Sequence, residues 1–406
     1  MSLVKPTTKP DDRAVRDSAR PGMSRSLVIL FAISCGLVVG NIYYAQPLLD
    51  TLAHVFQVSQ TLSGLIITMT QIGYAIGLLF IVPLGDLLEN RRLIILVLFG
   101  TVTSLLIAGA APSISVFFIA SLLIGTTSVV AQILIPFSAE LSRPEERGQV
   151  VGQIVSGLLL GILFARAVSG FVAGLFGWRM VYFSSAIALL ILIAVLVRSL
   201  PTRKPGFSGN YGQLLASLYH IFMAEPILRR RAAYQSAMFA SFTGFWTTIT
   251  FRLASPEYHF SEIQIGLFAL AGAAGALIAP LAGRLGDRGH QRLATGVAFL
   301  VALAGYLITL VHGQIWMLIA AAVLLDMAVQ TTLVLGQQMI YTLKPEERSR
   351  LNTLYIATFF VGGAVGSAVA SREYEHVGWE AVVATGTVLS FLALVYWLTE
   401  PRKKAA

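Results

Sequence analysis

The chain has 406 residues, 56% of them hydrophobic and only 12% charged. Soluble domains are about a quarter charged, so a soluble enzyme of this mass is excluded for want of polar surface to present to water. A formal charge of +9 would suit nucleic acid if the cations formed one patch, but they are scattered between apolar stretches, as on membrane-protein loops.

Residues 1–26 hold six Lys or Arg, the acids Asp11, Asp12 and Asp17, and two prolines before residue 11, which predicts a disordered cytoplasmic tail. A bilayer core about 30 Å thick takes about 20 mainly apolar residues per helix. Twelve such stretches follow, at 27–49, 61–84, 93–111, 115–139, 149–174, 178–197, 232–254, 263–283, 293–311, 314–341, 351–371 and 378–398. The first is too long for a signal peptide and lacks a small-residue cleavage site after it, so it is expected to remain as a helix. Threading the chain through twelve crossings puts 25 of the 29 Lys and Arg on the side of the termini. Only Arg179, Arg252 and Arg372 fall opposite, and Arg166 lies within a stretch. That asymmetry predicts a multi-pass protein with both termini in the cytoplasm.

The connector at 198–231 divides the chain into halves at 27–197 and 232–398, with a short tail at 399–406. Within it Leu214, Leu218, Ile221 and Phe222 recur at helical spacing opposite Gln213, Ser217 and His220, which predicts an amphipathic helix on the inner membrane surface. Cys35 is the only cysteine, so no intrachain disulfide and no thiolate metal cluster can form.

Self-comparison at an offset of 201 residues brings three segments into register. Leu84-Gly85-Asp86 matches Leu285-Gly286-Asp287, Pro144-Glu145-Glu146-Arg147 matches Pro345-Glu346-Glu347-Arg348, and Gly177-Trp178 matches Gly378-Trp379. Each half therefore carries an acid after its second stretch, a PEER loop after its fourth and a Gly-Trp before its sixth. With these features the chain resembles the major facilitator superfamily over nearly its whole length after residue 26. The loop motif of that family is matched in the second half by Gly283, Leu285, Asp287, Arg288 and Arg292. In the first half Leu84, Asp86 and Arg91 match it, while Val82, Leu87 and Glu89 depart.

The opening NIYYAQPLL at 41–49 and the segment from Gln132 to Pro144 resemble the bacterial drug:proton antiporter branch. Two features depart from it: Ser121 stands four residues before Gly125 where many of those proteins have arginine, and GLLLGILFARAVSG carries Arg166 and no proline. The resemblance implies an all-α integral membrane fold of two pseudo-symmetric six-helix bundles that rock about a midplane site.

A charge at mid-helix costs about 2.5–3.5 kcal/mol on insertion scales, so it needs a partner or a function. Asp326 and Arg166 are the clear cases. Asp326 shares a helix face with Gln330 and Gln337, as on a cavity wall, and is the expected proton-coupling acid. The competing reading pairs it permanently with Arg166 as a structural closure. Arg166, in a helix with Gly157, Gly161, Gly170 and Gly174, is an expected interdomain gate, or else it snorkels to the headgroups.

Asn41, Tyr44 and Gln46 with Tyr43, then Gln71, Gln132 and Trp246, and finally Gln330 and Gln337, supply oriented polar and aromatic groups in apolar surroundings. They are the expected substrate contacts, an interfacial aromatic belt being the other reading for Tyr43, Tyr44 and Trp246. The family resemblance implies that Asp86 with Arg91, and Asp287 with Arg292, hold the cytoplasmic side shut as part of the gate. Their bland role is to anchor topology.

No GxxxxGK[ST], HExxH or GxSxG occurs, and the six histidines are scattered, so no enzyme activity, cofactor or metal site is expected. The expected function is proton-coupled export of a small organic molecule by alternating access, with protons and the lipid bilayer as partners, no nucleic acid, and a monomeric chain. The nearer alternative is an importer or facilitator on the same fold; the farther is a non-transporting sensor.

Overall fold

The computed structural model describes residues 22–202, 209–311, 313–344 and 347–400. Most of both expected tails, part of the connector, and Pro345 and Glu346 of the second PEER loop lie outside the described residues. Every described element is helical, with no strand among the described residues.

In the first half α1 (Arg25–Gly40) starts at Ser24, whose hydroxyl caps Leu27 N, and stops where the expected span should have continued. Pro47 has no N–H and its ring clashes with the carbonyl four residues earlier, so the chain turns at 41–45 and takes one 3-10 turn, Gln46–Leu48. It then resumes as α2 (Leu49–Phe56). Next come α3 (Gln60–Phe80), α4 (Asn90–Ala110), α5 (Ile114–Thr127) and α6 (Val130–Leu141). The expected fourth span is broken between the last two. There the Thr126 and Thr127 hydroxyls bond back to Leu122 O and Leu123 O while Thr101 takes the Thr127 carbonyl, and such back-bonding bends helices. The long α7 (Arg147–Phe176) and α8 (Trp178–Ser199) complete the half.

After the connector helix α9 (Tyr211–Ala224), the second half comprises α10 (Pro226–Ala254) and α11 (Glu262–Phe268), then a 3-10 turn at Ala269–Gly272 leading into α12 (Ala273–Asp287). It continues with α13 (Gln291–Ile308), α14 (Ile315–Tyr341), α15 (Arg348–His376) and α16 (Trp379–Leu398). Among the described residues ten helical runs are long and apolar enough to cross a membrane. The interrupted α1–α2 run and the arginine-bearing α10 fit the remaining two places of a six-plus-six order. Proline at its first position starts α10 earlier than the apolar pattern alone suggests, so Arg229, Arg230 and Arg231 belong to this helix and not to the connector.

The sequence repeat is a structural repeat. In the first half α1 packs on α7, α3 on α5 and α4 on α8; in the second, α10 packs on α15, α12 on α14 and α13 on α16. The twin PEER loops lead into α7 and α15. Gly177 and Gly378 both sit at positive φ, 85° and 106°, where a Cβ would be strained, and each turns the chain into a helix that opens on Trp.

The two halves join along a seam that starts at the face away from the termini. Thr51 Oγ1 donates to Glu262 Oε1 at 2.7 Å, Thr61 N to Glu375 Oε2 at 2.6 Å, Thr68 and Ser367 hydroxyls meet at 2.8 Å, and Thr250 Oγ1 donates to Gln46 O at 3.0 Å. Gly170 of α7 lies directly against the Glu262 carbonyl and Gly266 of α11. The seam reaches about mid-helix, where Tyr74 and Phe360 rings lie 4.4 Å apart. This closes the distal end.

The connector helix is amphipathic as predicted, with a capping box formed by Asn210 and Gln213. Leu214, Leu218 and Ile221 are buried by protein, against α10 and α15, and Tyr211 Oη donates to Phe80 O at 2.8 Å. Tyr219 and Met223 of the same helix stay exposed.

At the α1–α7 crossing a Cβ on Gly157 would sit 2.6 Å from Ala32 O, leaving no room for a side chain. Gly157→Leu is therefore expected to cost about 1–3 kcal/mol by overpacking, seen as a lower unfolding temperature in detergent. Gly148→Ala, with nothing within 4 Å of an added Cβ, should leave that temperature unchanged.

Candidate substrate and proton site

The seam closes over a buried cluster drawn from both halves. Ser169 Oγ of α7 donates to Tyr44 O at 2.6 Å, which ties the turn after α1 against α7. The break in α1 thereby brings Tyr43 and Gln46 to Arg166. Arg166 is 3% exposed, so it does not snorkel; its Nε donates to Gln46 Oε1. Its guanidinium lies 4.7 Å from the Tyr43 ring centre and 4.7 Å from that of Trp246, across the domain boundary. Desolvated cation–π contacts of this kind contribute about 2 kcal/mol.

Trp246 of α10 is fixed by rings of Phe242, Phe245 and Phe268 at 6.3, 5.7 and 6.0 Å. Its indole Nε1 donates to Asp326 Oδ2 of α14 at 3.1 Å. Asp326 is itself buried. The turn before α12 and the first turn of α12 approach it with glycines: a Cβ on Gly272 would lie 3.2 Å from Asp326 Oδ1, and one on Gly275 would lie 3.2 Å from its Cβ. Arg166 and Asp326, expected either to pair or to act separately, are thus linked through one indole. Among the described residues no direct ion pair joins them.

The other expected residues divide by what they touch. Gln46 belongs to the cluster. Gln71 reaches across the seam to Thr243 at 3.4 Å, and Gln132 donates to Tyr74 Oη at 3.3 Å, beside the Tyr74–Phe360 contact. Gln330 is half-buried beside Gly275, one turn beyond Asp326. Asn41 instead serves its own half, donating to Val38 O and accepting from Ser185 at 2.8 Å; Gln337 likewise donates to Asn352 at 3.0 Å. Tyr44 faces a groove of about 750 Å³ between α1 and α7.

Three of the gate residues of the loop motif make contacts within their own halves. Arg91 donates to Val197 O, Asp287 accepts from Gln338 at 3.2 Å, and Arg292 lies 5.3 Å from the Trp397 ring; Asp86 ends the 3-10 turn Val82–Asp86 and is engaged as well. Sequence reading missed the distal closure by Thr51 and Glu262, since neither residue belongs to a motif. Beside them, burial lifts the Asp50 carboxyl above its usual range; His54 at 3.6 Å opposes this and Glu262 adds to it.

Residues 29–254 and 234–406 match the Major Facilitator Superfamily. Over 386 residues the chain is 42% identical to the uncharacterized transporter YgaY of Escherichia coli O157:H7, covering 95% of this chain and 98% of that one. It is 30% identical over 383 residues to "Probable transporter SCO4007" of Streptomyces coelicolor, covering 93% and 89%. The fold superposes with a TM-score of 0.74 on the crystal structure of a bacterial homologue of the human lysosomal transporter Spinster, inward-facing and occupied, at 15% identity over 92% of this chain and 96% of that one. The chain belongs to the Major Facilitator Superfamily. It is a multi-pass membrane transporter of that type, not an enzyme.

Trp246→Phe keeps a ring over Arg166 but removes the N–H from Asp326, and is expected to destabilise by about 1–3 kcal/mol. Combined with Asp326→Asn it should cost less than the two single changes added together; simple additivity in thermal unfolding would mean that the pair is not coupled. At the distal seam the raised Asp50 carboxyl adds stability in acid that is lost as pH rises through its folded value. Asp50→Asn should remove that contribution, so the variant's stability relative to the native chain should rise as pH rises through the folded value, and an unaltered difference across pH would exclude this role.

Proposed function

We propose that this chain is a proton-coupled secondary transporter of a small organic molecule, with Asp326 as the coupling acid. The observation that carries this is the placement of Asp326. It is a buried carboxyl in the second half, held by the Trp246 N–H and electrostatically coupled to Arg166 of the first half, so its protonation state acts on the contact between the lobes. Removing one charge from a buried pair typically costs about 3–5 kcal/mol, enough to decide which end of the molecule stays closed. The likeness to the drug:proton antiporter branch supports the proton as the coupling ion. The charge asymmetry of the loops supports both termini in the cytoplasm, and the chain is read as a monomer of the bacterial inner membrane.

Export by exchange, the first expectation from the sequence, makes substrate and proton alternatives at Asp326. Uptake with co-movement is the second reading, and it is favoured by one feature: a buried cation, Arg166, stands beside the acid and opposes a cationic competitor for the site. Asp287, Arg91, Asp86 and Arg292 are assigned to the closure of the cytoplasmic side when the distal end opens.

Proteoliposomes holding a trapped pH-sensitive dye test the coupling. Among small organic acids, neutral compounds and amines, at least one is expected to drive proton movement through the native chain. Asp326→Asn should abolish that movement; proton flux at the native rate in this variant would remove Asp326 from the mechanism.

A further inference from the structure

Arg166 carries one feature that coupling alone does not explain. Its Nη2 is sealed from water and donates no hydrogen bond, although the neighbouring Nε is satisfied by Gln46. Buried donors without acceptors are rare, and a guanidinium presents its N–H groups in a planar fork that matches a carboxylate. Among the described residues no protein carboxylate accepts from it; Asp326 meets the Trp246 indole through Oδ2.

We propose that the transported molecule is a small organic monoanion whose carboxylate accepts from Arg166 Nη2 while its apolar part rests against the rings of Phe242, Trp246 and Phe268, and that it travels together with a proton on Asp326. This rests on Asp326 being the coupling acid. It follows from charge balance in a buried site. Empty, with Asp326 ionised, Arg166 and Asp326 sum to zero. With proton and anion both bound, Arg166 and the anion sum to zero. A proton alone leaves a buried positive charge and an anion alone a buried negative one, and both are disfavoured out of water. The two neutral forms, empty and doubly loaded, are the ones that can close and alternate. Co-movement follows.

The groups that face Asp326 leave this balance intact. Arg166 from α7 is the charged side chain that acts on it, and the Tyr43 phenol from the turn after α1 is the titratable neighbour. Helix α10 contributes the Trp246 N–H, the α11–α12 turn contributes Gly272, and α12 contributes Gly275. A cationic substrate would meet Arg166, and a neutral one would leave Nη2 unsatisfied.

The test uses the full chain in detergent with benzoate and hexanoate, each beside its amide and its amine, followed by thermal unfolding and titration calorimetry. Carboxylates alone are expected to stabilise. Their affinity should rise about tenfold for each unit fall in pH over the range where the acid titrates, with a proton taken up for each anion, read from buffers of different ionisation heat. Arg166→Gln should erase the advantage of acid over amide, and Arg166→Lys should retain part of it. Amides or amines binding as well as the acids, or no binding by either acid, would overturn the anion site. Acids that bind without proton uptake, equally in Asp326→Asn, would overturn co-movement and the coupling role together while leaving the anion site. Amines that drive proton exchange in the proteoliposomes would overturn the anion site and co-movement while leaving the coupling role.

Discussion

A guanidinium buried between two lobes, in contact with rings and an amide but with no carboxylate touching it, is the constraint on which this molecule turns. Desolvating Arg166 is unfavourable, and the structure offsets it with Gln46, with the faces of Tyr43 and Trp246, and with the field of Asp326 transmitted past the indole. Each of these partners depends on a particular local departure from regular helix. Pro47 breaks α1 and turns Tyr43 and Gln46 inward. The 3-10 turn before α12 brings Gly272 to Asp326. Glycines along α7 let it approach α1 on one side and α11 on the other.

The seam above the cluster follows the same logic. Its contacts are small side chains, single hydroxyl bonds and glycine-to-backbone approaches rather than a network of strong ion pairs. Individually such bonds contribute about 0.5–1.5 kcal/mol each, so no single contact dominates the closure. Arg91, Asp287 and Arg292 are engaged inside their own halves while the distal end is shut; in the proposed mechanism the loop-motif residues exchange partners for the opposite lobe in the other state.

Much of the fold was legible in the sequence because lipid imposes a simple rule: long apolar stretches, cations on one side, and a duplicated set of loop motifs. The paired packing of the helices repeats across the halves as the 201-residue offset implied. The breaks in α1 and between α5 and α6 were not legible, since a 20-residue hydropathy pattern is blind to a proline or a threonine pair that diverts a few backbone bonds. Asp326 and Arg166 stood out because charge is rare in such surroundings. Trp246 was expected as a substrate contact, but its position between them is a tertiary fact that no spacing encodes. Asn41 and Gln337 looked like pocket residues by polarity alone, and their amides are bonded within single halves. The protein contacts of the connector helix were not legible either, because an amphipathic pattern does not say which apolar partner it meets.

Infrared difference spectroscopy of the Asp326 carboxyl tests the central claim most directly, because it reads the proton on that group and not its consequences. At constant pH, adding benzoate to the native chain should increase a protonated-carboxyl band that is missing in Asp326→Asn. A band that is absent, or that stays unchanged as the anion binds, would contradict the account.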